Sequence, residues 1–175
     1  MDAYLGQTKD IIMGQDFLTW LWFKSETGSG IFRTRDNTEF NLVMEQRISV
    51  QGGEGETLET ASVSGATSPL TEARTGLSTG KKVTKAMLRI DSGPDTWQVS
   101  IKAEDFSLHS LKTPVVEKPD DQDDDPDGAF LEKMYLLEKC MACIDATYEQ
   151  FLQQRLSPTW TDEVRKVRAW VQKER

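Results

Sequence analysis

The chain has 175 residues, 37% hydrophobic and 29% charged, the proportions of a globular protein with one core of useful size rather than of a disordered chain or two large domains. Its 21 basic and 29 acidic residues leave a net charge of −8 and an isoelectric point near 4.8, which excludes a uniformly basic nucleic-acid coat, because backbone affinity comes from cations that displace counterions. No apolar run approaches the roughly 20 residues that cross a bilayer, and the N-terminus lacks the basic-then-apolar order of a secretory signal, so no membrane partner and a cytoplasmic location are expected.

In chain order, Phe17, Leu18, Trp20, Leu21, Trp22 and Phe23 lie between Gly14-Gln15-Asp16 and the Gly28-Ser29-Gly30 turn. They predict a short buried helix, with a strand as the competing reading, since an apolar run of this length has no decisive period. Phe40, Leu42 and Met44, resumed by Ile48 and Val50, alternate as a strand does. Gly52-Gly53-Glu54-Gly55 then turns the chain, and Leu58 to Val63 returns as its partner. Ser68-Pro69 is a helix start and Gly80 a helix stop. Lys82 to Ile90 and Thr96 to Ala103, joined by Asp91-Ser92-Gly93-Pro94-Asp95, form a β-hairpin. Ala86, Leu88 and Ile90 with Trp97, Val99 and Ile101 are its core face.

The run Asp120, Asp121, Asp123, Asp124, Asp125 and Asp127 carries much of the acidity in a proline-punctuated stretch that reads as a spacer. Phe130, Met134, Leu137, Met141, Ile144, Tyr148 and Phe151 then recur at steps of four and three, one continuous helical stripe. Ser157-Pro158 breaks it, and Thr159 caps a last helix with Val164, Val167 and Val171 on one face and Arg165, Lys166, Arg168 and Lys173 supplying charge. The expected fold is α+β: an antiparallel sheet with a flanking helix over residues 1–114, an acidic flexible linker over 115–128, and an antiparallel helical hairpin over 129–175 that packs on the same core or on a partner.

Several constellations carry chemistry elsewhere. Cys140 and Cys143 match C-x-x-C, but a redox pair needs a helix N-terminus and zinc needs about four ligands, while the chain has one histidine, His109. Buried, reduced thiols are the reading, with a thiol enzyme using Cys143 as the third-ranked hypothesis. His109 is a general base only if Asp105 or a serine converges on it; a strand-end histidine without a chemical role is the plainer reading. The aspartate cluster lacks the spaced loop, central glycine and closing glutamate of a calcium site. Gly80-Lys81-Lys82 is no phosphate-binding P-loop, because Thr75 stands where its first glycine belongs and Lys82 where its Ser or Thr belongs. No cofactor, metal or catalytic residue is expected. Lys85 and Arg89 share the hairpin face opposite Ala86, Leu88 and Ile90, and Lys102 extends it on the partner strand. Three spaced cations on a sheet face can rest on phosphates without reading bases, and the plainer alternative is a solvated face.

The segment Leu70 to Lys112 resembles the C-terminal half of the RdgC recombination-associated family. Leu70-Thr71-Glu72-Ala73, Gly80-Lys81-Lys82-Val83-Thr84-Lys85 with Leu88, Trp97-Gln98-Val99, and Ser107-Leu108-His109-Ser110-Leu111-Lys112 carry the likeness. These are, in the family's order, a helix, a glycine stop, a G-K-x-V-T-K strand, a hairpin and an S-L-x-x-L-K strand, covering about a quarter of the chain. The family's N-terminal half has no counterpart in this sequence. The resemblance implies a non-enzymatic, nucleoid-associated protein that binds duplex DNA with little sequence preference, forms a ring-shaped dimer with a basic inner surface, and restrains RecA-type recombinases by occupying their substrate. It implies Lys81, Lys82 and Lys85 as phosphate contacts; Arg89 and Lys102 join them from the strand pattern. The competing function is an acidic protein-interaction or regulatory subunit, with a homo-oligomer or a partner protein expected in either case.

Overall fold

The computed structural model describes residues 11–52, 59–64, 69–116 and 126–173. Its elements are α1 (Ile11–Thr27), β1 (Ile31–Arg33), β2 (Glu39–Gly52), β3 (Glu59–Ser64), α2 (Pro69–Ser78), β4 (Lys82–Ser92), β5 (Asp95–Lys102), β6 (Leu108–Lys112), α3 (Pro126–Arg155) and α4 (Trp160–Gln172). The fold is α+β. Six antiparallel strands run in the order β1-β2-β4-β5-β6, with β3 pairing β2. β1 takes one end of β2, from Asn41 to Glu39, and β3 takes the other, from Arg47 to Gly52.

The predicted hairpin forms β4 and β5 in a register that places Ala86 beside Ile101, Leu88 beside Val99 and Ile90 beside Trp97. All six are buried, as the period-two pattern requires. The β2-β4 register shifts between Ser49 and Val50, where Thr84 is the extra residue of a bulge. Its groups are used nonetheless: Thr84 Oγ1 donates to the Ser49 carbonyl at 3.2 Å and its own carbonyl accepts the Ala103 N–H at 2.8 Å.

The helices cover one face of this sheet. Helix α1 is a helix, not a strand, and Phe17, Leu18, Trp20, Leu21, Trp22 and Phe23 are all buried. A helix apolar on nearly every side belongs inside, and α1 packs against β2 and β4 while also contacting α3 and α4. Its approach requires Gly14, because a Cβ there would stand 1.8 Å from the Ala103 carbonyl oxygen. Gly80 ends α2 at φ +93°, a left-handed conformation that glycine adopts without strain. Ser68 and the glycine-rich turn at 53–55 lie outside the described residues.

The C-terminal helical pair departs from expectation in three details. Helix α3 starts at Pro126, so the end of the expected linker at 115–128 is helical, with Asp127 complementing the helix N-terminus. Asp120 through Asp125 lie outside the described residues. Only the C-terminal part of the α3 stripe is core: Ile144 and Phe151 are buried, whereas Phe130, Met134 and Met141 are exposed. The buried side ahead of Ile144 is instead Leu136, Cys140 and Cys143, tied down by Trp97 Nε1 donating to the Leu136 carbonyl at 3.0 Å. Thr159 precedes α4, but its side chain makes no cap hydrogen bond; its carbonyl accepts the Asp162 and Glu163 amides.

Helix α4 lies across α1 and α2 through two carboxylate clamps. Glu163 is buried and accepts from Trp20 Nε1 at 3.2 Å and Lys24 Nζ at 2.5 Å. Burial pushes the Glu163 carboxyl up, but Lys24, Trp20 and Lys166 outweigh it and hold the group below the ordinary glutamate range. Glu26 accepts from Trp22 Nε1 at 2.9 Å and from Trp170 Nε1 at 3.0 Å, and Arg74 packs 4.7 Å from the Trp170 ring centroid. No described helix is long and apolar enough to cross a membrane.

Candidate nucleic-acid interface

The uncovered face of the sheet is built from the residues that alternate with the core. Between Leu42, Met44 and Ile48 of β2 stand Val43 and Glu45; between Ala86, Leu88 and Ile90 of β4 stand Met87 and Arg89; beside them on β5 stand Gln98, Ser100, itself buried, and Lys102. The five lysine and arginine candidates separate into three groups on this scaffold. Lys85 and Lys102 are direct cross-strand partners and have no ion pair among the described residues. Arg89 shares their face but is committed internally, with Nη1 3.4 Å from Glu45 Oε1 and Nε 3.0 Å from Asp91 Oδ2. It is therefore not the free phosphate contact that the strand pattern suggests. Lys82 opens β4, an inner strand of the sheet, and Lys81 precedes it; both border a cleft between α1, α2 and α4.

A sixth cation joins the open face. Strand β6 pairs Leu108 with Ile101, His109 with Ser100 and Lys112 with Gln98, so it contains one extra residue between His109 and Lys112. Ser110 takes the strain at φ +53°. The bulge turns Leu108 and Leu111 toward the core and leaves His109 and Lys112 on the open side. Strict alternation would have separated His109 from Lys112. The signal was present in the spacing of the two leucines, which can both face a core from one strand only across a bulge.

Around His109, Ser107 Oγ and His109 Nε2 share a hydrogen bond of 2.9 Å, while Asp105 Oδ1 accepts the Ser107 backbone N–H at 3.0 Å. The carboxylate thus holds the turn, in contrast to a triad, where it would orient the imidazole. Cys140 and Cys143 are free thiols on the core side of α3. Burial pushes Cys140 up to about 12, assisted by Cys143; burial pushes Cys143 up to about 11 against the opposing effect of Lys139. Both shifts run opposite to the lowered values that characterise nucleophilic thiols. Among the described residues no three His, Cys, Asp or Glu side chains are grouped to hold a metal ion.

The arrangement can hold a polyanion by its charge. Two lysines directly opposite on neighbouring strands repel one another, and a row of phosphates placed over them relieves that repulsion. Lys112 widens the positive area on the far strand, while Glu45 and Asp91 confine it by occupying Arg89. No family model, curated protein or solved structure matches the chain.

Proposed function

We propose that this chain is a non-catalytic, RdgC-like module that holds duplex DNA by its phosphates with little sequence preference, using Lys85, Lys102 and Lys112. By occupying DNA it would modulate recombination and associate with the nucleoid. The observation that carries the reading is the direct cross-strand pairing of Lys85 with Lys102. Like charges directly opposite destabilise a sheet, and Gln or Thr would serve a merely solvated face at no such cost. In a chain of net charge −8, affinity resting on so few cations must be weak, falling with salt by about one logarithmic unit per lysine engaged.

Fluorescence anisotropy with a short duplex of mixed sequence tests this at low and moderate salt. The parent is expected to bind, and Lys85→Glu/Lys102→Glu to lose binding while keeping its circular dichroism spectrum. No binding by the parent at low salt, or equal binding by the two proteins, refutes the proposal.

A second reading, association with another copy of the chain, is favoured by the exposed side of α3. Phe130 is 62% exposed, Leu131 64% and Tyr135 58%, with Met134 and Met141 on the same half of the helix. Phe130, Met134, Leu137 and Met141 fit alternating d and a positions of a heptad, which places Lys133 at g and Glu138 at the following e. In a parallel pair each Lys133 faces the partner's Glu138, the charge pattern that selects that orientation. Sedimentation velocity should show a concentration-dependent dimer abolished by Met134→Lys; a parent that stays monomeric at high micromolar concentration refutes it.

A further inference from the structure

Beneath α4 lies a cleft of about 440 Å³ that the open face of the sheet does not include. Its volume is within the range of small-molecule sites. The apolar lining comes from Leu77 of α2, Trp20 of α1, and Trp160, Val164, Val167 and Val171 of α4. The three valines are the face of α4 that sequence periodicity singles out, and here they line a cleft and stay only half-buried.

The charged groups of the cleft are of one effective sign. Lys81, Lys82 and Arg168 border it, and its single carboxylate, Asp16, is taken by Arg155 at 3.2 Å. Arg155 in turn lies 5.2 Å from the Trp160 ring centroid. Lys81 follows the C-terminal end of α2, where a cation is favoured by the helix itself. Arg168 has no such explanation. Its neighbours at three and four residues along α4 are Val164, Arg165, Val171 and Gln172, so its own helix offers no carboxylate. Lys82 faces Gln51 across the strands, again without an acid. Neither Arg168 nor Lys82 forms an ion pair among the described residues, in a chain that has eight more acidic than basic groups.

We propose that this cleft binds a small amphipathic anion: an aromatic or branched apolar body seated among Leu77, Trp160 and the α4 valines, with a terminal carboxylate or phosphate held by Lys82 and Arg168. The apolar wall supplies affinity through burial, and the two cations at the rim select the charged end. A neutral body of the same shape lacks the second contribution, and a bare inorganic anion lacks the first.

Isothermal titration calorimetry on the full chain tests this with 1-naphthyl phosphate and 1-naphthoate, which separate a preference for phosphate from one for carboxylate, and with neutral 1-naphthalenemethanol as control. At least one anion is expected to bind with one-to-one stoichiometry and at least tenfold more tightly than the alcohol. Lys82→Gln/Arg168→Gln should lose at least tenfold in affinity while its unfolding midpoint is unchanged, and Val167→Asp should abolish binding. Lys85→Glu/Lys102→Glu should bind the same anion as the parent does, which separates the cleft from the DNA face. Absence of binding by both anions, equal affinity for the alcohol, unaltered binding by Lys82→Gln/Arg168→Gln, or lost binding in Lys85→Glu/Lys102→Glu each overturns the assignment.

Discussion

On its helix-covered side the sheet buries Leu42, Leu88, Ile90, Trp97 and Val99 completely, whereas the residues that alternate with them, Val43, Arg89 and Gln98, remain partly open to water. The two sets occupy the same strands and differ by one step of the chain. The covered side is held to its neighbours by buried area, indole hydrogen bonds and carboxylate clamps, whereas the open side carries the exposed cations. The chain can therefore change what the open side attracts without rebuilding the core, and the two sides should respond to different perturbations.

The largest response belongs to Trp97. It is fully buried, pairs with Ile90 across the hairpin and donates to the Leu136 carbonyl, so it joins sheet to α3. Trp97→Ala removes this contact and leaves a cavity, with an expected cost of about 3–5 kcal/mol. Urea denaturation reads it as a lower midpoint with an unchanged slope. A loss under about 1 kcal/mol would break the comparison, because the covered side would then not be what holds the sheet to its helices.

A smaller response, and one with a pH signature, is expected at Glu163. Its carboxyl is held below the ordinary value of 4.5, since the hydrogen bonds and charges of Lys24, Trp20 and Lys166 outweigh the burial that pushes it up. A depressed carboxyl contributes stability that is present above its unfolded value and lost as pH falls through its folded value. Glu163→Gln can still accept from Trp20 but leaves Lys24 without its charge partner, at a cost of about 1–2 kcal/mol at neutral pH. As pH falls below 4.5 and through the depressed folded value, the parent should progressively lose this advantage and the two proteins should converge. Thermal unfolding of both at neutral and acid pH checks it, and parallel stability curves would exclude an ionised Glu163 as the clamp of α4.

The residues that were legible from sequence are those whose role is local. Alternation in Ala86, Leu88 and Ile90 and in Trp97, Val99 and Ile101 fixes both strands and their core face, because a strand shows its period within a few residues. The length of α3 was equally legible, but its buried side was not. Phe130, Met134 and Met141 form the stronger stripe, yet the sheet is met by Leu136, Cys140 and Cys143, since the helix's rotation is set by where Trp97 and Asp95 stand to receive Leu136 and Lys139. At the candidate interface, the lysines of the hairpin were visible and the capture of Arg89 was not, because Glu45 comes from a strand forty-four residues earlier in the chain. Arg168 was visible only as part of a charged helix face, for the same reason: a cation acquires its role from the walls that surround it, and Leu77 and Lys82 reach it only through the fold.

The smallest effect on stability, and the sharpest separation of the two sides, is expected from the lysine pair. Because Lys85 and Lys102 face one another with no anion between them among the described residues, neutralising either should leave stability within about 0.5 kcal/mol of the parent or raise it. Lys85→Gln and Lys102→Gln should also be less than additive, since the first substitution already removes the repulsion that the second would relieve. The same changes should weaken duplex binding and flatten its dependence on the logarithm of salt by about one unit per lysine. Stability and affinity then move independently, or in opposite directions, as they must if the open side is kept for a partner. A clear loss of stability in either single variant would mean that the lysines serve the fold, and that the two sides of the sheet are not separate in function.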